Sequence, residues 1–303
     1  MAERRIAVTG ATGLIGGALV DDLRADGATV HRITRNPDAA GPDDLVWDPD
    51  AGRLDPAGLE GVDAVVHLAG EPIGDHRWSA EVKRRILDSR RRGTELLART
   101  LAGLDAKPAV LLSGSAVGFY GSRGDEVLTE EDGPGDDFMA RVTVAWEEAA
   151  DPAREAGIRV VHPRTGVVLA QGGPLIDKIE LPFRLGVGGR VGSGRQYVPW
   201  IALTDEVRAL RFLLDHDHLA GPVNLTAPDP ATNRELTKAI GDVLRRPTVL
   251  PIPVVAISAL YGEMGRSLAT VSQRVVPRRL LQAGFSFEHT LMSALRRALR
   301  KDG

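Results

Sequence analysis

Three glycines at regular spacing open the chemistry of this 303-residue chain, where Gly10-Ala11-Thr12-Gly13-Leu14-Ile15-Gly16 reads G-x-x-G-x-x-G. Such a turn lets backbone amides at the start of a helix approach an anion closely, and the helix dipole favours negative charge there. A glycine loop can also do no more than turn a chain. Here a short apolar run, residues 5–9, precedes it, and residues 14–23 follow with a helical apolar pattern that ends before Gly27. Strand, glycine turn and helix in that order suit the pyrophosphate of a dinucleotide, with Gly10, Thr12, Gly13, Leu14, Ile15 and Gly16 around it.

The strand at residues 29–34 ends in Thr34-Arg35-Asn36, with no acid before Asp38. An acid at that point binds the hydroxyls of the adenosine ribose, whereas the planar fork of an arginine accommodates a 2′-phosphate. Arg35 therefore favours NADP(H) as cofactor, the alternative being a solvated surface arginine. A further strand, residues 62–68, runs into His67-Leu68-Ala69-Gly70. This small-residue turn can pass beneath the adenosine side of a cofactor or simply leave the strand.

The elements that must carry these groups alternate. Strands are expected at residues 109–113 and 159–163, helices at 80–104 and 138–155, and a last strand at 222–225 after a helix near 205–215. That order predicts an α/β protein with a doubly wound parallel Rossmann sheet. Residues 172–194 mix glycine with apolar residues and read as a loop-rich lid or substrate-lobe insertion. Beyond Pro228, helical stretches punctuated by Pro247, Pro251, Pro253 and Pro277 read as a smaller, mainly helical C-terminal lobe. The division expected is residues 1–170 with 197–227 as the cofactor domain, and 171–196 with 228–303 as the substrate lobe.

Composition narrows the partners. A net charge of −3 gives no electrostatic reason to expect nucleic acid or an anionic membrane, so a small-molecule substrate is the default. The absence of cysteine excludes disulfides, thiolate metal sites and a cysteine nucleophile. The histidines show no metal-ligand spacing, and His216 and His218 stand two apart in a polar stretch, so no metal is expected. Met1 to Arg5 run directly into the first strand without a signal-like apolar region, and no apolar run reaches the roughly 18 residues of a membrane span. A cytoplasmic protein is expected.

Together these stretches resemble the extended or atypical short-chain dehydrogenase/reductases. The likeness is greatest to the subgroup called epimerase family proteins, which carries a C-terminal domain of unknown function. Besides the glycine loop, the matching segments include Leu68-Ala69-Gly70-Glu71-Pro72-Ile73, Arg77-Trp78, Ser89-Arg90, Trp146-Glu147, Arg164-Thr165-Gly166, Pro199-Trp200-Ile201 and Gly284-Phe285-Ser286-Phe287. The resemblance implies that Thr34 and Arg35 hold the adenosine phosphate and that Leu68, Ala69 and Gly70 line its turn. It implies too that Arg90 faces the cofactor pocket and that Arg164 and Val168 pass near the nicotinamide. Arg90 also belongs to the run Arg90-Arg91-Arg92, which reads equally as a solvated face.

Catalysis in such enzymes uses a serine and a Tyr-x-x-x-Lys pair, the lysine lowering the tyrosine pKa so that the phenol exchanges a proton with a substrate oxygen. Ser113-Gly114-Ser115 stands in the right place, with Ser113 beside the cofactor and Ser115 the better match to the catalytic serine. The pair is missing: residues 136–148 contain neither tyrosine nor lysine. Tyr120 is the nearby phenol, a substitute proton donor or a pocket wall. Glu130, Glu131, Asp132, Asp136 and Asp137 could supply a base, or form a solvated loop with a helix cap. The family usually carries histidine two residues after the tryptophan at position 200, where this chain has Ala202. Two functions follow as expectations. One is an NADP(H)-dependent oxidoreductase or epimerase acting on a small oxygenated substrate, such as a nucleotide-sugar. The other is a non-catalytic NADP(H)-binding regulator.

Overall fold

The computed structural model of the chain describes residues 4–299, except for the side chain of Ala39. Met1 to Glu3, in the expected run-in to the first strand, and residues 300–303, at the end of the expected C-terminal lobe, lie outside the described residues. The first half of the chain runs β1 (Arg5–Thr9), α1 (Leu14–Ala25), β2 (Thr29–Thr34), β3 (Leu45–Asp48), β4 (Arg53–Leu54), β5 (Ala64–His67), α2 (Ala80–Ala102), β6 (Val110–Ser113) and β7 (Ser115–Ala116). Then come β8 (Val127–Leu128), α3 (Phe138–Glu148), α4 (Asp151–Glu155), β9 (Arg159–Thr165), β10 (Val167–Leu169), α5 (Pro174–Arg184), β11 (Tyr197–Val198), β12 (Trp200–Ala202), α6 (Leu203–Asp215) and β13 (Gly221–Leu225). The chain closes with β14 (Ala231–Thr232), α7 (Asn233–Leu244), α8 (Val254–Thr270), β15 (Arg274–Val275), α9 (Arg278–Gln282) and α10 (Leu291–Leu299).

The main sheet has the order β13-β9-β6-β5-β1-β2-β3-β4, with β7 also on β9. Its pairs are parallel except β3 with β4. β5 and β6 are buried along their whole length, as expected of strands covered by helices on both faces. One face packs on α1 and α6 around Ile6, Val8, Leu19 and Leu210; the other packs on α2 and α4 around Ala7, Val65, Leu97 and Leu111. A separate core joins α5, α7 and α10 to β10 and β12 around Ile176, Trp200, Leu236 and Leu295. Strand order reverses beside β1, whose neighbours β2 and β5 lead outward in opposite directions, and the crevice over the carboxyl ends at such a switch point is where α/β sheets bind ligands.

Several expected boundaries move. The expected single helix over residues 138–155 is two, α3 and α4, because Pro152 cannot donate into a continuous ladder. The strand expected at residues 159–163 runs on to Thr165, carrying Pro163 opposite Val223. Residues 172–194 are not all loop: α5 occupies eleven of them, with Gly173 at its N-cap and Pro182 inside. β3 and β4 were not anticipated at all.

In the C-terminal region α8 breaks at Gly262, whose φ of 66° is open to a glycine at little cost. The Arg77 guanidinium caps the break by donating to the carbonyls of Ala259 and Leu260, at 2.5 and 2.6 Å. Among the described residues no helix is long and apolar enough to cross a membrane, and no group of three or more acidic, histidine or cysteine side chains could hold a metal ion.

Glu206, in the first turn of α6, is fully buried; it accepts from Thr165 Oγ1 at 2.7 Å, and its Oε2 has no partner among the described residues. Burial pushes its pKa up to about 8 from an ordinary 4.5, so the folded chain holds it protonated at neutral pH. The unfolded chain releases that proton near its ordinary value. Stability is therefore full below about 4.5, falls as pH rises, and reaches its floor above about 8. Glu206→Gln should flatten this dependence, so that urea midpoints of variant and wild type diverge between pH 6 and 9 in favour of the variant. Parallel pH profiles would refute the assignment.

Candidate functional site

The glycine turn is built by close packing. Gly10 adopts a φ of 67°, and a Cβ there would stand 2.8 Å from the Leu68 carbonyl carbon. A Cβ on Gly16 would stand 2.2 Å from the Gly10 oxygen, so neither position admits a side chain without moving the backbone. Gly13 is the N-cap of α1 and offers no side-chain cap, and the first turn carries no acid. The amides there are thus directed at the crevice without competition from the chain's own carboxylates. Leu14 reaches across toward Gly173, beside the Val168 carbonyl, while Ile15 packs into the main core. Thr12 is exposed on the turn.

Buried hydroxyls and an imidazole tie the two central strand ends together. Thr9 Oγ1 accepts from the amides of Leu68 and Ala69, at 3.1 and 3.2 Å, and lies 2.7 Å from His67 Nδ1. With its lone pairs so engaged, the hydroxyl donates to Nδ1, which places the ring proton on Nε2, 2.9 Å from Thr94 Oγ1. Burial holds His67 down to about 4, so the ring stays neutral and the arrangement persists at physiological pH. The Leu68-Ala69-Gly70 turn is thereby fixed against the glycine loop.

At the end of β2, Thr34 Oγ1 accepts from the Asn36 amide, and Arg35 is exposed. Arg35, Ala69 and Gly70 line a cavity of about 480 Å³ closed on its far side by α2. The run Arg90-Arg91-Arg92 divides. Arg91 and Arg92 are exposed and pair with Glu95 and Asp88, whereas Arg90 turns into the protein, donating to the Glu71 carbonyl at 2.8 Å and lying 4.9 Å from the Trp146 ring centre. Burial lowers its pKa to about 10, which still leaves it a cation near neutral pH. The solvated-face alternative does not hold for Arg90.

At the end of β6, the Gly114 amide donates to the His67 carbonyl and the glycine admits the Trp146 ring, 3.0 Å from where a Cβ would be. Two buried polar atoms here, Ser113 Oγ and Trp146 Nε1, have no partner among the described residues. Ser115, opposite Arg164 in the β7–β9 register, donates its hydroxyl to Glu147 Oε1 at 2.6 Å. Arg164 grips the same carboxylate through Nε and Nη2, at 2.8 and 2.9 Å. Burial works against the charge on Glu147, but the hydrogen bonds and charge of Arg164 outweigh it and hold the carboxyl below its usual range.

Two expected site residues are engaged within the protein. Arg164 is buried, held by Glu147 and by Tyr120 Oη at 3.0 Å, and its guanidinium lies 3.4 Å from the Phe119 ring centre. Tyr120 is not a free phenol. It is fully enclosed, donates to Asn224 Oδ1 at 2.7 Å, and burial pushes its pKa up to about 12. A proton so bound and so weakly acidic is not one to exchange with a substrate. The acidic loop is likewise occupied: Glu130 accepts from the Asn224 amide and Asp137 caps α3. Glu147 stands in the matching segment Trp146-Glu147 with no role assigned to it from sequence. Its trace was there, for Ala140, Thr143 and Glu147 follow one another at helical spacing, and the first two are buried.

A parallel sheet with its crevice at the reversal of strand order, a side-chain-free glycine turn beneath a helix N-terminus and the Leu68-Ala69-Gly70 turn braced against it define an NAD(P)-binding protein of the Rossmann class. The sequence profile of the NAD dependent epimerase/dehydratase family matches residues 6–225, and that of a domain of unknown function, DUF1731, matches residues 252–298. The chain belongs to the NAD dependent epimerase/dehydratase family. It is similar to an epimerase family protein of Mycobacterium tuberculosis, with 45% identity over 100% of both chains. A crystal structure of human epimerase family protein SDR39U1 (isoform2) with NADPH superposes with a TM-score of 0.87, at 34% identity over 97% of this chain and 99% of that one. A nucleoside-diphosphate sugar epimerase from Corynebacterium glutamicum gives 0.81, at 33% identity over 98% of this chain and 58% of that one.

Proposed function

We propose that the chain is an NADP(H)-dependent oxidoreductase or epimerase acting on a small oxygenated substrate, with a nucleotide-sugar as the first class to try. The reading rests on one observation, the hydrogen bond from Ser115 Oγ to the Glu147 carboxylate at 2.6 Å, beside the strand ends that carry the cofactor turn. Arg35 and the NADPH of the human relative support the choice of cofactor. When bound, NADP(H) supplies or takes up a hydride at its nicotinamide.

The protein's part is then proton handling. A serine whose hydrogen points at a carboxylate has its lone pairs free to accept from a substrate hydroxyl, so Ser115 receives that proton and passes its own to Glu147 Oε1. Arg164 keeps Glu147 ionised and fixed, and Tyr120 and Asn224 hold Arg164 in turn. Serine and glutamate here take the place of the missing tyrosine and lysine. Ser115→Ala should lower turnover of a responsive substrate by about 10² to 10³, the usual effect of removing one positioned group, with NADPH affinity within about twofold of wild type. Wild-type turnover in the variant would remove Ser115 from the mechanism.

The enclosure of Ser115, 5% exposed, and of Tyr120, 0%, favours a second reading. In that reading the chain is an NADP(H)-binding sensor, and cofactor occupancy orders residues 172–194 for a partner. A screen of carbonyl compounds and nucleotide-sugars without turnover, together with NADPH-dependent protection of residues 172–194 from proteolysis, would select it.

A further inference from the structure

We propose that Arg84 is the second arm of a two-arginine clamp on the 2′-phosphate of NADP(H), approaching from α2 while Arg35 approaches from the end of β2. The inference rests on the NADP(H) reading above and deepens it. It begins with the charges on one cavity. The space of about 480 Å³ beside Ala69 and Gly70 is lined by four arginines, Arg35, Arg84, Arg85 and Arg92, and by three carboxylates, Asp50, Glu71 and Asp88.

Each carboxylate is already answered. Arg85 Nε lies 3.6 Å from Glu71, and Arg92 lies 3.7 Å from Asp50 and 3.3 Å from Asp88. Arg84, Asp88 and Arg92 share one face of α2 at four-residue spacing, so Asp88 could have paired in either direction; it pairs with Arg92. Arg35 and Arg84 remain. Both are exposed on the cavity, and neither has a hydrogen bond, ion pair or ring contact among the described residues.

Two uncompensated guanidiniums on the lining of one cavity call for an anion of about two charges. A phosphate monoester carries about −1.5 to −2 near neutral pH and presents three acceptor oxygens, enough for two forks at once. The adenosine ribose carries its 2′ substituent at the end of the second strand in this fold class, which is where the cavity opens past Arg35. NADH, with a hydroxyl at that position, offers neither the charge nor the acceptors.

Calorimetric titration of NADPH and of NADH into wild type, Arg84→Ala, Arg35→Ala and the double variant tests the clamp, with thermal melts as a check on folding. Arg84 has no partner among the described residues, so the melt of its variant should be unchanged. Arg84→Ala is expected to weaken NADPH about tenfold, the usual weight of a charge-assisted hydrogen bond, and to leave NADH within about twofold. Unchanged NADPH affinity, or an equal loss for both cofactors, overturns the assignment. If Arg35→Ala discriminates between the cofactors and Arg84→Ala does not, the clamp fails and the NADP(H) reading stands. A wild type without preference for NADPH over NADH removes both.

Discussion

Gly16→Ala should weaken NADPH binding on the order of a hundredfold or more, equivalent to about 3 kcal/mol, and should lower the thermal midpoint as well. The cause is local and unavoidable. The new methyl would sit 2.2 Å from the Gly10 oxygen and 2.8 Å from its carbon, so the turn must open and the helix N-terminus withdraw from the crevice. Gly13 provides the control, since a Cβ there meets only the Gly10 oxygen at 3.3 Å. Gly13→Val should lose the cofactor by projecting into the pyrophosphate space while the fold survives. Calorimetric titration with parallel circular-dichroism melts separates the two variants. A Gly16→Ala protein with wild-type affinity would show that the turn does not hold the cofactor.

The second large effect lies in stability. Glu147→Ala should cost about 3–5 kcal/mol, because it leaves the Arg164 guanidinium buried against Phe119 with its counter-charge gone. The loss comes from the stranded charge more than from the missing attraction. A double variant, Glu147→Leu with Arg164→Met, should therefore recover much of it, since neither charge then needs compensation. Urea denaturation of the three proteins gives the comparison. A loss below about 1 kcal/mol in Glu147→Ala would mean that the pair behaves like an exposed one.

What the sequence made legible was what neighbours in the chain decide. The strand, glycine turn and helix over residues 5–25 are contiguous, and glycine is the residue that such packing demands, so Gly10 and Gly16 announce themselves. The Ser115-Glu147-Arg164 network joins three elements across 32 and 17 residues, and no local pattern connects them. Arg90 could not be separated from Arg91 and Arg92 until α2 was docked, because only packing shows which of three adjacent arginines turns inward. Tyr120 carried a reactive group and so drew attention, yet burial with Arg164 and Asn224 disarms it. α5 was hidden by glycines on both sides and by Pro182, although Ile176 and Phe183 lie on its buried face. Nothing local marks Glu206 as enclosed, since the hydroxyl it meets, on Thr165 of β9, lies 41 residues earlier.

The strand order has a consequence for the timing of biosynthesis. β1, β2, β5 and β6 adjoin in the sheet and are all contained in residues 5–113, so the glycine turn, Arg35 and the Leu68-Ala69-Gly70 turn have every strand they need before the middle of the chain leaves the ribosome. The other end of the crevice waits for α3 and β9, which bring Glu147 and Arg164 only once residue 164 has been made. Chains emerge at about 5–20 residues per second, so the two ends of the cleft are separated by several seconds of translation. A nascent chain can thus pair the strands of the first half, with one face still waiting for α6, while the half that brings Glu147 and Arg164 is being synthesised.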